Sequence, residues 1–314
     1  MPDEKTEKQL QQFVESQEGT DKETPVGSGI TPTPTPMFPH SRSEGQISRG
    51  NEIGWQKIPI KDLPTQGLFY PKDTEISIRS ASGAEIRHWS TLQEDNYMLL
   101  DDMLNYVLER CASFKIPEGH SSWKDLKEVD RFYILLAIRE YTFKKGENHL
   151  QVKTSETSTI NVSKEMIDYI TLDPRLMKYY DDEKRCFVLK FKTGKTMEVT
   201  IPSVGVTGFL KNYVGRKQDQ QQGFDTDFVG FAPFVIKDWR GLSDSIYEKL
   251  VLESNNWSIS EVSVLTKLKD LFVETVNPVV KYVDDGGAER VAPLNFLGGI
   301  KSIFLISDPF SELV

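Results

Sequence analysis

The stretch from Ile58 to Ile78, IPIKDLPTQGLFYPKDTEISI, limits what this chain can fold into more than any other. Pro64 and Pro71 each fix φ and remove a backbone donor, and Gly67 between them is free to take positive φ. The stretch therefore predicts an ordered elbow and not a helix. Directly after it, Glu75-Ile76-Ser77-Ile78-Arg79 alternates in the manner of a half-buried strand. Leu68, Phe69 and Tyr70 have two readings: apolar pins where the chain enters a domain, or part of a family signature.

The second reading rests on two blocks. The first is Leu63-Pro64-Thr65-Gln66-Gly67-Leu68-Phe69-Tyr70-Pro71 with the Thr-Glu-Ile strand that follows it. The second is Val129-Asp130-Arg131 with Leu135-Leu136-Ala137-Ile138-Arg139. Together they resemble the hub and hub-assembly protein family of T-even-type contractile-tailed bacteriophage baseplates. The likeness runs over residues 55 to 306 in element order, is close in these two blocks and diverges toward the C-terminus. It marks Leu63, Pro64, Gly67, Phe69, Tyr70, Pro71, Asp130, Arg131 and Arg139 as the motif residues. Taken from the residues alone, Asp130 beside Arg131 on one helix reads as a solvated or inter-element ion pair, not as a catalytic couple.

At 314 residues the chain can build one large core or two small ones, but its first fifty residues add little to either. They are rich in Glu, Gln, Ser, Thr, Gly and Pro and include Thr31-Pro32-Thr33-Pro34-Thr35-Pro36, so residues 1–50 read as a disordered tail. A faint helical period at Lys8 to Phe13 could fold on a partner. Residues 51–314 form the folded part, with a subdivision conceivable near 203–235.

The formal charge of −9 leaves no large positive field, which argues against duplex nucleic acid as a ligand. No apolar run reaches the roughly twenty residues of a membrane span, and no secretory leader pattern opens the chain, so a cytosolic protein is expected. Cys111 and Cys186 lie at a helix end and on a strand without a second cysteine or a histidine at ligand spacing; buried free thiols are expected.

Along the ordered part, Ala81 to Arg110 reads as helical through Tyr97, Leu100, Leu104, Val107 and Leu108. A second helix is expected to open at Ser121 or Ser122 and to carry Leu126, Val129, Phe132, Tyr133, Leu136 and Tyr141 on one face. His149 to Val162 and Arg185 to Thr200 read as hairpins, the second turning at Thr193-Gly194-Lys195. The interval 205–233 is either a loop or a frayed helical hairpin. Ser243 to Glu253 is a short helix, and Ser258-Ile259-Ser260-Glu261 forms a capping box ahead of Val262, Leu265, Leu268, Phe272 and Val276. Val279 to Val283 and Val291 to Ile306 then flank an Asp284-Asp285-Gly286-Gly287 tip.

In relatives of the resembled family two late hairpins often carry C-x-x-C pairs that together would bind zinc. Here Thr154, Thr157, Tyr282 and Asp285 fall at those places, and they cannot supply the thiolates of a structural zinc site. No metal or other cofactor is expected. The four histidines, His40, His88, His120 and His149, are scattered. Gly194-Lys195-Thr196 lacks the upstream glycine of a phosphate loop, and no G-x-S-x-G elbow occurs.

The sequence thus predicts an α+β interaction protein, a helical body with β-hairpins preceded by a disordered tail, and not an enzyme. By resemblance it is a subunit of the baseplate hub or a factor that assembles it, with hub or tail proteins as partners and neither nucleic acid nor membrane. Trp55, Trp239 and Trp257 are candidate contact residues, each equally readable as core. A host-directed binding module and a hydrolase with an unrecognised nucleophile are the alternatives.

Overall fold

The elbow closes because Gly67 stands where no other residue fits. Its φ is 79°, and a Cβ there would lie 2.5 Å from Ile60 Cγ2. A 3-10 turn at Ile60–Asp62 precedes it. Bonds from Gln66 N–H to Leu63 O (2.7 Å) and from Tyr70 N–H to Gly67 O (3.2 Å) wind the rest. Leu63, Phe69 and Tyr70 are buried. The computed structural model describes residues 54–91, 97–117, 121–143, 150–170, 172, 174–276 and 278–305. The expected tail at 1–50, with its helical period at Lys8 to Phe13, lies outside them.

The elbow leads from β1 (Gln56–Ile58) to β2 (Glu75–Ile78), and β3 (Ala112–Lys115) completes an antiparallel sheet in the order β1-β2-β3. The single helix expected over 81–110 is two, α1 (Gly83–Ser90) and α2 (Tyr97–Cys111). A Ser82–Glu85 capping box opens α1. It ends where Thr91 turns both its N–H and its hydroxyl onto His88 O, a local bond that competes with helix continuation.

The helix expected from Ser122 also starts later. Ser122 does cap a turn, but a 3-10 one at Trp123–Asp125. A second 3-10 turn at Glu128–Asp130 precedes α3 (Arg131–Thr142). The interruption has a cause: Lys127 pairs with Ser203 in an antiparallel bridge. There Glu128 N–H bonds Pro202 O at 3.0 Å and Val204 N–H bonds Leu126 O at 2.8 Å. Leu126 and Lys127 are held out of helical conformation by residues 202–204, far along the chain, which periodicity cannot show. Helix α3 is buried on nearly all sides, from Arg131 through Arg139, whereas Tyr141, expected on the inner face, is exposed.

Both early hairpins form as read: β4 (Gln151–Lys153) with β5 (Thr159–Asn161), and β7 (Cys186–Lys190) with β8 (Thr196–Val199) around Gly194 at φ 84°. Strand β6 (Tyr180–Asp181) joins the second pair after the one-turn α4 (Pro174–Met177). The undecided interval is a helical hairpin, α5 (Val204–Asp219) and α6 (Thr226–Val235). Helices α7 (Asp244–Ser254) and α8 (Ile259–Val276) follow. The capping box of α8 is closed by Ser258 N–H to Glu261 Oε2 at 2.6 Å. Leu265, Leu268 and Phe272 face inward, but Val262 in the first turn is exposed.

The last hairpin pairs β9 (Val279–Val283) with β10 (Glu289–Pro293), so the second strand starts two residues before the expected Val291 and stops far short of Ile306. Pro293 has no N–H to continue the ladder. Residues 295–297 turn instead to the free edge of β4, where Lys153 N–H bonds Asn295 O (2.9 Å) and Leu297 N–H bonds Gln151 O (2.8 Å).

The architecture is α+β, with helices and, among the described residues, four small antiparallel sheets. Three apolar clusters carry it. The first joins the β1–β3 sheet, α1 to α3 and the two outer hairpins, from Ile58 to Phe304. The second lies between β7, β8 and α8 around Phe187 and Phe272, and the third among α5, α6 and α7 around Tyr213, Phe228 and Tyr247. No helix among the described residues is long and apolar enough to cross a membrane.

Candidate functional site

The two motif blocks meet at one buried carboxylate. Asp130 is fully buried between the elbow and the start of α3. Its Oδ1 accepts from Thr65 N–H at 2.9 Å. Its Oδ2 accepts from the Thr65 hydroxyl at 2.8 Å and the Tyr70 hydroxyl at 2.7 Å. Tyr70 Oη in turn accepts from Lys127 N–H at 2.9 Å. Burial pushes Asp130 up to about 6, while the bonds from Tyr70 and Thr65 oppose the shift; Tyr70 is raised by burial and by the neighbouring carboxylate. The sequence reading of Asp130 as one half of an ion pair is corrected: its partners are hydroxyls and an amide, and its task is to tie the elbow to the helix.

Arg131 does form the inter-element pair. Its guanidinium reaches Asp101 Oδ1 on α2 at 2.7 Å and Glu128 at 3.3 Å, and Lys211 from α5 shares Asp101 at 2.9 Å. Arg139 is buried farther along α3, over the Phe143 ring at 5.0 Å, and burial lowers it to about 10.

Beside this knot lies an open groove of about 760 Å³. Tyr70 and Lys127 line it, with Lys72, Arg185, Lys237 and Arg240 among its cationic residues and Asp125 among its acidic ones. Most of these charges are engaged. Lys184 pairs with Glu198 at 2.6 Å, Lys237 pairs with the same carboxylate, and Arg240 meets Asp125 Oδ2 at 2.5 Å. Asp125 also accepts from Trp239 Nε1 at 2.8 Å and from Ser122 N–H at 3.2 Å. Lys127 differs. It is 8% exposed, and its ammonium donates to Ile201 O at 3.3 Å, with no carboxylate at ion-pair distance among the described residues. Burial drives it down to about 8.

Ser203 also lines the groove, but its hydroxyl accepts from Val206 N–H at 3.4 Å as the cap of α5 and meets no imidazole among the described residues. Cys111 and Cys186 are buried and free, as expected. Burial pushes the first thiol to about 12 and raises the second, which keeps both from acting as thiolates near neutrality. Among the described residues no three His, Cys, Asp or Glu side chains gather as a metal site would need.

The hairpin tips close on themselves. Thr154 N–H bonds Ser158 O at 3.0 Å, and the Ser155 hydroxyl accepts from Thr157 and Ser158 N–H at 3.3 and 3.1 Å. At the other tip Asp284 accepts from Gly286 and Ala288 N–H at 3.0 and 2.9 Å and from Arg290 at 2.9 Å, which together hold its carboxyl low. Tyr282 faces Arg290 across the strands, and Asp285 is exposed.

Of the three tryptophans named as candidate contacts, Trp55 is exposed. Trp239 is half-buried against the backbone of Gly205, which leaves no room for a Cβ, and Trp257 is half-buried against Phe228 and Phe231. Sequence reasoning passed over two exposed aromatics, Tyr169 and Tyr179, and the buried Lys127, and it placed the exposed Tyr141 on an inner face. Gly205 in the first turn of α5 was the one local sign that a ring packs there. Comparison with protein-family models, with curated proteins and with solved structures finds no match to this chain.

Proposed function

We propose that this chain works without turnover as a component of a contractile phage tail baseplate, either a subunit of the central hub or a factor that assembles it. It recognises other hub or tail proteins in the cytoplasm of the infected cell. One observation carries the reading: Thr65, Tyr70 and Asp130, from the two blocks that resemble the hub family, bond to one another in a single buried knot. A motif spent on internal bonds specifies shape, and shape is what an assembly component presents to its neighbours. Exposed Trp55, Tyr141, Tyr169 and Tyr179 supply aromatic anchors of the kind that dominate protein interfaces.

The test is mass spectrometry of purified virions beside baseplate precursors, together with affinity purification of the tagged chain from infected cells. Presence in both fractions makes it a subunit, and presence in precursors alone makes it an assembly factor. Recovery with a host complex and no tail protein replaces this reading with a host-directed module.

A further inference from the structure

Lys127 is a buried cation whose surroundings supply too little. An ammonium has three N–H donors, and the bond to Ile201 O uses one of them at 3.3 Å. The carboxylates that act on it through space are already occupied. Asp130 is bonded by Thr65 and Tyr70, and Asp125 by Arg240, Trp239 and the Ser122 amide. A charge removed from water without a partner is costly, and folds retain such residues where something else offsets the cost. Lys127 is among the residues that line an open groove, which gives an outside partner a path toward it. Lys72 on the same groove is exposed and makes no ion pair among the described residues.

We propose that this groove binds a carboxylate carried on an extended segment of a partner protein, with Lys127 as the cation that receives it and Lys72 as a second cation. The inference rests on the baseplate reading only for the source of that segment. A carboxylate fits better than a phosphate dianion because Asp73, Asp182, Glu183 and Asp238 also line the groove. They repel two charges more than one, and can themselves meet basic residues of a mixed-charge segment.

The probe is a fluorescent, acetylated and amidated peptide of alternating glutamate and serine, with its glutamine counterpart as control, followed by anisotropy at low salt on the full chain. The glutamate peptide should bind and the glutamine peptide should not. Lys127→Met, which keeps the aliphatic stem, should weaken binding about tenfold or more, and Lys72→Met less. Lys127→Met should also unfold at no lower urea concentration than the parent, since it removes a buried charge.

A second readout needs no variant: on the parent chain, saturating peptide should raise the titration midpoint of the Lys127 ammonium, followed by lysine-selective NMR. Equal binding by Lys127→Met, equal binding of the glutamine peptide, no binding, an unmoved midpoint, or tighter binding of inorganic phosphate would each overturn the proposal. If the peptide binds as expected and the tagged chain recovers no tail protein, the groove stands and the baseplate reading falls.

Discussion

Two buried tyrosines in different apolar clusters are treated in opposite ways. At the elbow, Tyr70 donates to Asp130 and accepts from Lys127 N–H, so its hydroxyl is fully used. In the helical region of α5 to α7, Tyr247 is ringed by Phe209, Tyr213 and Phe228, with centroids 4.6 to 5.9 Å away, and its hydroxyl has no partner among the described residues. The elbow is defined by directional bonds, each of which admits one geometry. The helical cluster is defined by ring packing, which tolerates a wasted polar atom but specifies position less sharply.

The comparison breaks most visibly at Asp130. Asp130→Ala strands the Thr65 amide, the Thr65 hydroxyl and the Tyr70 hydroxyl in a buried site, and should cost on the order of 3 to 5 kcal/mol in urea unfolding. A loss under about 1 kcal/mol would show that water enters the knot.

Next comes the pair of matched deletions. Tyr70→Phe should cost about 1 to 3 kcal/mol because Asp130 and Lys127 N–H each lose a partner. Tyr247→Phe should be neutral or stabilising by up to about 1 kcal/mol. Equal costs at the two sites would erase the distinction between the regions.

A smaller effect is expected from pH. The native Asp130 carboxyl takes up its proton near 6 and the unfolded one near 3.8, so between these values the folded chain binds more protons. Its contribution therefore grows as pH falls from about 6 toward 4. Glu85, held down to about 2 by the Arg79 guanidinium and Ser82 despite its burial, acts in the other direction and mostly below that window. Its support is lost as pH falls from 4.5 toward 2. The stability profile of the parent minus that of Asp130→Asn should isolate the first slope; a flat difference between pH 4 and 6 would place the Asp130 carboxyl at an ordinary value.

The smallest expected effect is none at all. A strong chelator should leave the urea midpoint unchanged, because both hairpin tips are closed by their own amides and hydroxyls. About one zinc per chain by plasma spectrometry, with a chelator-induced loss of stability, would refute the metal-free reading of Thr154, Thr157, Tyr282 and Asp285.

What the sequence reveals divides along the same line as the two tyrosines. Features fixed by neighbours in the chain are legible: the Pro64–Gly67–Pro71 elbow, the turn at Gly194 and the Ser258–Glu261 box. Features fixed by distant partners are not. Ser122 looks like the start of a long helix until residues 202–204 arrive to hold Lys127 extended. Asp130 beside Arg131 suggests a pair, yet the acid turns to Thr65 and the base to Asp101. The groove is the extreme case, since its lining comes from segments near 70, 127, 184 and 238 that share no pattern.

The indole of Trp89 donates to Lys301 O at 2.9 Å and meets the Phe304 ring edge-on at 4.9 Å, across more than two hundred residues. A ribosome making this chain would therefore expose α1 long before its cover exists. The first apolar cluster must wait, incomplete, for residues near 304 to leave the exit tunnel, while the α5–α7 cluster, drawn from residues 206 to 257, can close earlier. Folding order would then run against chain order, and a nascent chain stalled with residues 206 to 257 outside the exit tunnel but before residue 304 is made should hold a finished third cluster beside a protease-sensitive α1.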